Sequence, residues 1–447
     1  MNRAPISRYR GLSVNSLLIL LSTIHCTNES STAPKTHSPA PTILPAIQNL
    51  TSQAHDQWLL LAHAHFIYET DAKTGKTLPP RPGPSKLTIV KFEGDQIQTE
   101  ILQDPESRVF HKTTCSPKAD GSIQLTTISA SKAQLKKWLP SSKGWQANLL
   151  WEASFGGKWD RLRDFEYADL DKDGFDEIIV GTHDQGVIAI GKRAKQGWKF
   201  RELHREPDIF IHEIESGDID GDGLLEFFAT PSRPNRVGHS QGGRIIGFNR
   251  KRGGQWHPFE VANFEKRHAK EILVTDIDED GKDEIYGAIE AQKQKDSSGT
   301  KIIAPLQIKR YKWSPKGIKG KLIATLKGGI QARFIIAGKF STRDRNQLIV
   351  TTMRNGVWLL TPPRKRLTKW QVEQLDAETS GWEHAATLAD LDANGLHELY
   401  TTPDDQDALY RYHWTGQKTQ KTKLIDLEKH DLTWAIEPCF PPLPKTQ

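Results

Sequence analysis

The sequence predicts an all-β fold in which one four-stranded unit is repeated, and three observations carry that prediction. An acidic phrase running into an apolar strand, DLDKDGFDEIIVG from Asp169, recurs as DIDGDGLLEFFAT from Asp218, DIDEDGKDEIYGA from Asp276 and DLDANGLHELYTT from Asp390. Each copy is followed by a short turn, an alternating apolar strand such as GVIAIGK or GRIIGFN, and a more polar strand such as WKFRELHRE or WHPFEVANF. No long apolar pattern of period 3.6 is present, so helices are not expected. Four short strands at a spacing of roughly 50 residues are the mark of a β-propeller blade.

The spacing counts the units. The first two intervals are 218 − 169 = 49 and 276 − 218 = 58, while the last, 390 − 276 = 114, spans two units. A degenerate copy, AGKFSTRDRNQLIVTT at 337–352, fills the gap, with Lys339, Ser341 and Arg343 where the other copies carry acids. No metal is expected there, the lysine and arginine taking the space of a cation. Residues 108–152 supply a further blade whose acidic loop is eroded, and residues 57–103 supply only three strands. The missing inner strand is DLTWAIEPC from Asp431 to Cys439. Pairing the chain ends in one blade leaves no open sheet edge, and the expected fold is a seven-bladed β-propeller over residues 56–440, with a tail at 441–447. Closure of this kind could bring Cys439 within disulfide range of Cys115, where a bond would pin the last strand; two separate buried thiols are the alternative.

The first 25 residues read as an export signal: Arg3, Arg8 and Arg10, then the short apolar core LLILL at 17–21, too short to span a bilayer. Cys26 and the Ser/Thr/Pro-rich tract after it resemble the start of a bacterial lipoprotein. That resemblance implies lipidation at Cys26 and a flexible tether over 26–55, although His25 stands where such signals carry Gly or Ala. Ordinary secretion is the alternative. The balance of 61 Lys+Arg against 55 Asp+Glu is mildly basic and scattered, which argues against a nucleic-acid partner.

Carboxylates at alternate loop positions around a glycine turn are how a chain wraps a hard cation such as Ca²⁺, which takes six to eight oxygens. An EF-hand would need a glutamate at loop position twelve and flanking helices; Val180, Ala229, Gly287 and Thr401 stand there. The repeated D-x-D-x-[DN]-G-x-x-E followed by a strand resembles the FG-GAP/VCBS propeller repeats also found in the integrin α-subunit head. The resemblance implies side-chain ligands at loop positions one, three, five and nine and a carbonyl ligand at seven. Those are Asp169, Asp171, Asp173, Glu177 and Phe175; Asp218, Asp220, Asp222, Glu226 and Leu224. They are then Asp276, Asp278, Asp280, Glu284 and Lys282; Asp390, Asp392, Asn394, Glu398 and Leu396. Four Ca²⁺ are expected as staples for blade turns, the last held more weakly because Asn394 is neutral.

A second constellation lies six residues before each loop: Arg163, His212, Lys270, Arg333 and His384, with Trp159, Asp160, Asp208, Phe210 and Trp382 in the adjoining connections. Gathered at one mouth of the channel, they would form a cationic, aromatic-lined funnel for a carboxylated sugar, a phosphate or an acidic peptide end. Pairing with Asp164, Glu213, Glu271 and Glu383 is the competing expectation. The sequence therefore points to an exported, surface-anchored, monomeric Ca²⁺-binding propeller that acts as a ligand-binding or adhesion module for an anionic or carbohydrate ligand or an envelope protein. The alternative is an enzyme of lyase or dehydratase type acting on an acidic polysaccharide through His212 and His384, since some such enzymes use similar propellers. No G-x-S-x-G, HExxH or phosphate-loop motif is present.

Overall fold

The computed structural model describes residues 57–441 except 77, 79, 95, 119–120, 158–159, 196, 235–239, 251–253, 298, 365–368, 379–380, 382–383 and 430. The signal, Cys26, the tether, Trp159, Trp382, Glu383 and most of the tail lie outside the described residues. Among the described residues all regular structure is β-strand, and the pairings are antiparallel.

Five separate four-stranded sheets follow one another along the chain, starting at Leu162, Phe210, Ala269, Ala332 and His384. The third carries an extra hairpin, Gln292–Asp296 and Gly299–Ala304, between its second and third strands. The remaining strands form one nine-stranded sheet. In it Asp431–Cys439 pairs with Gln57–Ile67 from Trp58 opposite Cys439 to His65 opposite Asp431, with a register shift between Ala62 and His63, and Ser85–Glu93 and Gln96–Asp104 follow outward. One bridge, Ala64 to Val109, connects this set to the run from Val109–Pro117 to Gly144–Ala153. The last strand of the chain thus completes the first set of strands.

The first strand of each set packs against the first strand of the next: Val109–Pro117 on Leu162–Ala168, then Phe210–Gly217, Ala269–Thr275, Ala332–Gly338 and His384–Ala389 in turn. His384–Ala389 meets Asp431–Cys439, which touches Val109–Pro117. Apolar side chains from the first three strands fill the space between neighbouring sheets, for example Ile179 and Ile188 against Ile211, Ile214 and Phe227. Close approach demands glycine at two places. A Cβ on Gly181 would stand 2.7 Å from Ile211, and one on Gly217 would stand 2.4 Å from Val274. Cys115 and Cys439 form a disulfide with Cα atoms 5.4 Å apart, tying the last strand to the neighbouring set.

Candidate functional site: four acidic loops

Each acidic loop leaves the end of a first strand and turns back into a second. Positions four and six supply the turn, both in the left-handed region: Lys172 and Gly174, Gly221 and Gly223, Glu279 and Gly281, Ala393 and Gly395. The first aspartate ties the turn by accepting two backbone N–H groups; Asp390, for example, takes those of Asn394 and Gly395, each at 2.9 Å. The glutamate at position nine is buried in all four loops and accepts the N–H of position two, as Glu177 Oε2 does from Leu170 at 3.0 Å. Oxygens of positions one, three and nine then lie within 4.8 Å of one another in every loop: Asp169, Asp171 and Glu177; Asp218, Asp220 and Glu226; Asp276, Asp278 and Glu284; Asp390, Asp392 and Glu398.

The position-five aspartates do not join that group. Asp173, Asp222, Asp280 and Asn394 each turn an oxygen onto the N–H two residues on, at 2.9, 2.7, 3.2 and 2.8 Å, so they cap the turn. The residues of the expected carbonyl position sit at the exit of the loops, where the side chains of Phe175 and Leu224 are exposed.

What faces the glutamate differs from loop to loop. The pairing of Ile178 with Gly191 sets Lys192 across from Glu177, and that of Ile285 with Tyr311 sets Lys312 across from Glu284. The Lys192 ammonium bonds Asp171 and lies 3.1 Å from Glu177 Oε1, with Arg250 3.2 Å from Asp171. Lys312 lies 2.6 Å from Asp280, 3.0 Å from Asp278 and 3.0 Å from Glu284. In the second loop the facing residue is Asn249, and in the fourth it is His413. There Glu226 and Glu398 use only Oε2 in hydrogen bonds, and Oε1 of each has no partner among the described residues. Burial pushes the Glu226 carboxyl up to about 8 and that of Glu398 up to about 7.

The second loop opens on a cavity of about 280 Å³ lined by Asp220, Glu226, Asn249 and Glu260 together with the rings of Phe259 and Trp313. Asn249 Oδ1 is buried there with no hydrogen-bond partner. Lys282, from the third loop, reaches across to the Asp220 carbonyl and lies 4.9 Å over Trp313.

In the degenerate copy the expected arginine does not fill the loop. Gln347, at position nine, is buried; its Oε1 accepts the Ser341 N–H at 2.8 Å, and its Nε2 donates to Thr361 Oγ1 at 2.7 Å. Arg343 is exposed and donates instead to the Asn394 carbonyl of the next loop at 2.8 Å. A neutral amide suffices because the carboxylates that would need a cation are gone.

The other constellation also differs from expectation. Arg163, His212, Lys270, Arg333 and His384 are buried rather than open at a mouth, because the neighbouring sheets cover both sides of the strands that carry them. Arg163 bonds His111 Nδ1 at 2.9 Å and stacks on Trp434, while Lys270 pairs with Glu290 at 3.0 Å. Lys112 meets Asp164 at 2.6 Å. Burial, with Lys270 nearby, holds His212 well below the ordinary histidine range, and burial takes His384 down to about 4; both are neutral near pH 7. Phe210 stacks on His183 at 3.6 Å, and Asp160 accepts the Phe155 N–H at 2.7 Å. Asp208 stands in a left-handed turn.

Sequence reasoning missed Lys192, Asn249, Lys312 and His413, although each lies at or next to the end of the alternating strand after its loop. It also missed Phe259 and Trp313.

No family model and no curated protein matches this chain. Among solved structures it is similar to a lectin from Agrocybe aegerita described in terms of specific recognition of non-reducing terminal N-acetylglucosamine. That likeness has a TM-score of 0.51 at 12% identity and covers 86% of this chain and 96% of the lectin. A protein from Bacteroides uniformis described as a "putative 6-phosphogluconolactonase" aligns at 11% identity over 86% of this chain and 99% of its own, with a TM-score of 0.49. The fold is all-β and propeller-like.

Proposed function

We propose that this chain is an exported, lipid-anchored, seven-bladed propeller that holds Ca²⁺ in acidic loops and binds a carbohydrate, neutral or acidic, at a cell envelope. The order of contacts between first strands supports the seven-bladed closed form, with Asp431–Cys439 as the inner strand of the shared blade. The donor sets support a hard divalent cation, since the converging atoms are all carboxylate oxygens. The export signal and Cys26 support the anchor.

The observation that carries the ligand reading is the cavity beside the second loop. Carboxylates, an amide and two aromatic rings line one hollow the size of a sugar unit, and sites of this kind combine apolar rings with a few placed polar groups. Lectin activity in the Agrocybe aegerita protein is in keeping with the idea, but likeness at 12% identity speaks only to the fold.

Binding to immobilised neutral and uronic-acid glycans, with Ca²⁺ and with chelator, tests this. A glycan that binds the native protein is expected to lose most of its signal both in chelator and in Trp313→Ala. Binding indifferent to Trp313→Ala would remove this cavity as the ligand site.

A further inference from the structure

Four loops share one acidic phrase, yet they differ in the charge that the third strand places against them. We infer that Lys192 and Lys312 are built-in cations that replace the metal in the first and third loops, so that only the second and fourth loops take Ca²⁺. This rests on the cation reading above and narrows it.

In the first and third loops an ammonium already stands among the acidic side chains, although Asp171 Oδ1 in the first stays buried without a hydrogen-bond partner. An ammonium supplies three donors, and Lys192 and Lys312 direct theirs at two of the three residues of each converging group: Asp171 and Glu177 in one loop, Asp278 and Glu284 in the other. Each lysine is supported by an arginine, Arg250 beside Asp171 and Arg310 3.3 Å from Asp278. Strand pairing fixes the Cα of each lysine across from the glutamate, so the ammonium stays within reach of the loop. A divalent ion entering there would have to expel a tethered positive charge and then sit beside it, a repulsion of like charges at close range.

The second and fourth loops have the opposite character. Asn249 brings a neutral amide whose Oδ1 is buried without a hydrogen-bond partner, next to Glu226, which is itself 7% exposed and keeps Oε1 unpartnered among the described residues. Glu398, 2% exposed, likewise keeps Oε1 without a partner. An amide oxygen buried without a donor, as Asn249 Oδ1 is, is costly unless a cation meets it. His413, across from Glu398, lies outside the converging group. The loops thus fall into two classes that no acidic motif distinguishes.

The test is the number of ions bound. Chelator-stripped protein covering residues 56–447 is titrated with CaCl₂ by calorimetry, beside Lys192→Met/Lys312→Met and beside Asn249→Lys. Two ions are expected on the native chain, four on the double lysine variant, and one on Asn249→Lys, which copies the arrangement of the first loop and so should fold. Four ions on the native chain would overturn the inference while leaving the calcium reading intact. Two ions on the double lysine variant would overturn it as well, because the lysines would not be what bars the metal. No ion on any of the three proteins would end the calcium reading and this inference together. Circular dichroism on each variant identifies misfolding, and if the lysine variant fails to fold, Asn249→Lys decides: two ions there overturn the inference.

Discussion

The two ends of the first strands make an instructive contrast. Both carry charge repeated from unit to unit, basic at the start and acidic at the finish. At the start the side chains are buried and the lysines are met by fixed partners, Lys112 by Asp164 and Lys270 by Glu290, while neither ring nitrogen of His384 has a hydrogen-bond partner among the described residues. At the finish the loops stand at the surface, and what fills them varies: a lysine in two, an amide network around Gln347 in one, and unpartnered glutamate oxygens in two. Where the acidic loop is missing altogether, the same end of Val109–Pro117 is held to Asp431–Cys439 by the disulfide. Repetition therefore copies residue class, but burial decides which copies remain open to a ligand.

The largest effect that separates the two ends concerns ion pairs of the same type. Lys112 and Asp164 are fully buried, and removing one partner of such a pair leaves a charge stranded, at a cost of about 3–5 kcal/mol. Lys192 is 48% exposed, with Asp171 at 12% and Glu177 at 5%, so its ammonium keeps much of the hydration that Lys112 gives up and its pairing is the weaker of the two. Lys112→Met is thus expected to lower urea stability by more than Lys192→Met when both are measured in chelator. Equal losses would erase the distinction between a closed belt and an open loop.

Next comes the covalent tie. The disulfide spans 324 residues, and restraining a chain across a long loop typically stabilises it by about 2–4 kcal/mol. Cys115→Ser/Cys439→Ser is expected to unfold at lower temperature, and hydrogen exchange should show the loss first in Asp431–Cys439 and in its partner Gln57–Ile67. If protection falls evenly across all the sheets, the closing strand is no weaker than the rest.

How much of this was legible beforehand follows from range along the chain. The acidic phrase is local, so the loops, their turns and the strands on either side could be read from a dozen residues. The closing strand was found by counting, since residues 57–103 came one strand short. The facing residue could not be found by spacing. It lies 192 − 177 = 15 residues after the glutamate in the first loop, 249 − 226 = 23 in the second and 312 − 284 = 28 in the third, where the extra hairpin intervenes. Only the strand register makes these positions equivalent. The belt misled for a related reason: Arg163 meets His111, 52 residues earlier, and no local pattern tells a residue covered by a neighbouring sheet from one facing a channel.

The smallest effect is a dependence on pH, and it tests whether the open loops are what they are taken to be. Without metal, Glu226 and Glu398 hold their protons up to about 8 and about 7, above the usual carboxylate range, because burial disfavours the charged form. A carboxyl raised in this way contributes stability that is complete below its unfolded value near 4.5 and is lost as pH rises through 7 and 8. The buried histidines work in the other direction. His63 and His384, lowered to about 4, and His183, lowered to about 3, contribute stability above 6.5 that is lost as pH falls toward those values. That loss is common to the metal-free and metal-loaded protein, so it cancels in the difference between them. Calcium must displace the glutamate protons, which makes its affinity rise with pH by up to about 1.4 kcal/mol per unit for each proton released. The increase in melting temperature given by Ca²⁺ over chelator is therefore expected to be small at pH 5.5 and to grow up to pH 8.5, on top of the ordinary dependence on free ion concentration. In Glu226→Gln, which has no proton to lose, the growth should be roughly halved, with the fourth loop alone supplying the rest. An increment that stays level across this range would mean that the ion sits away from both glutamates.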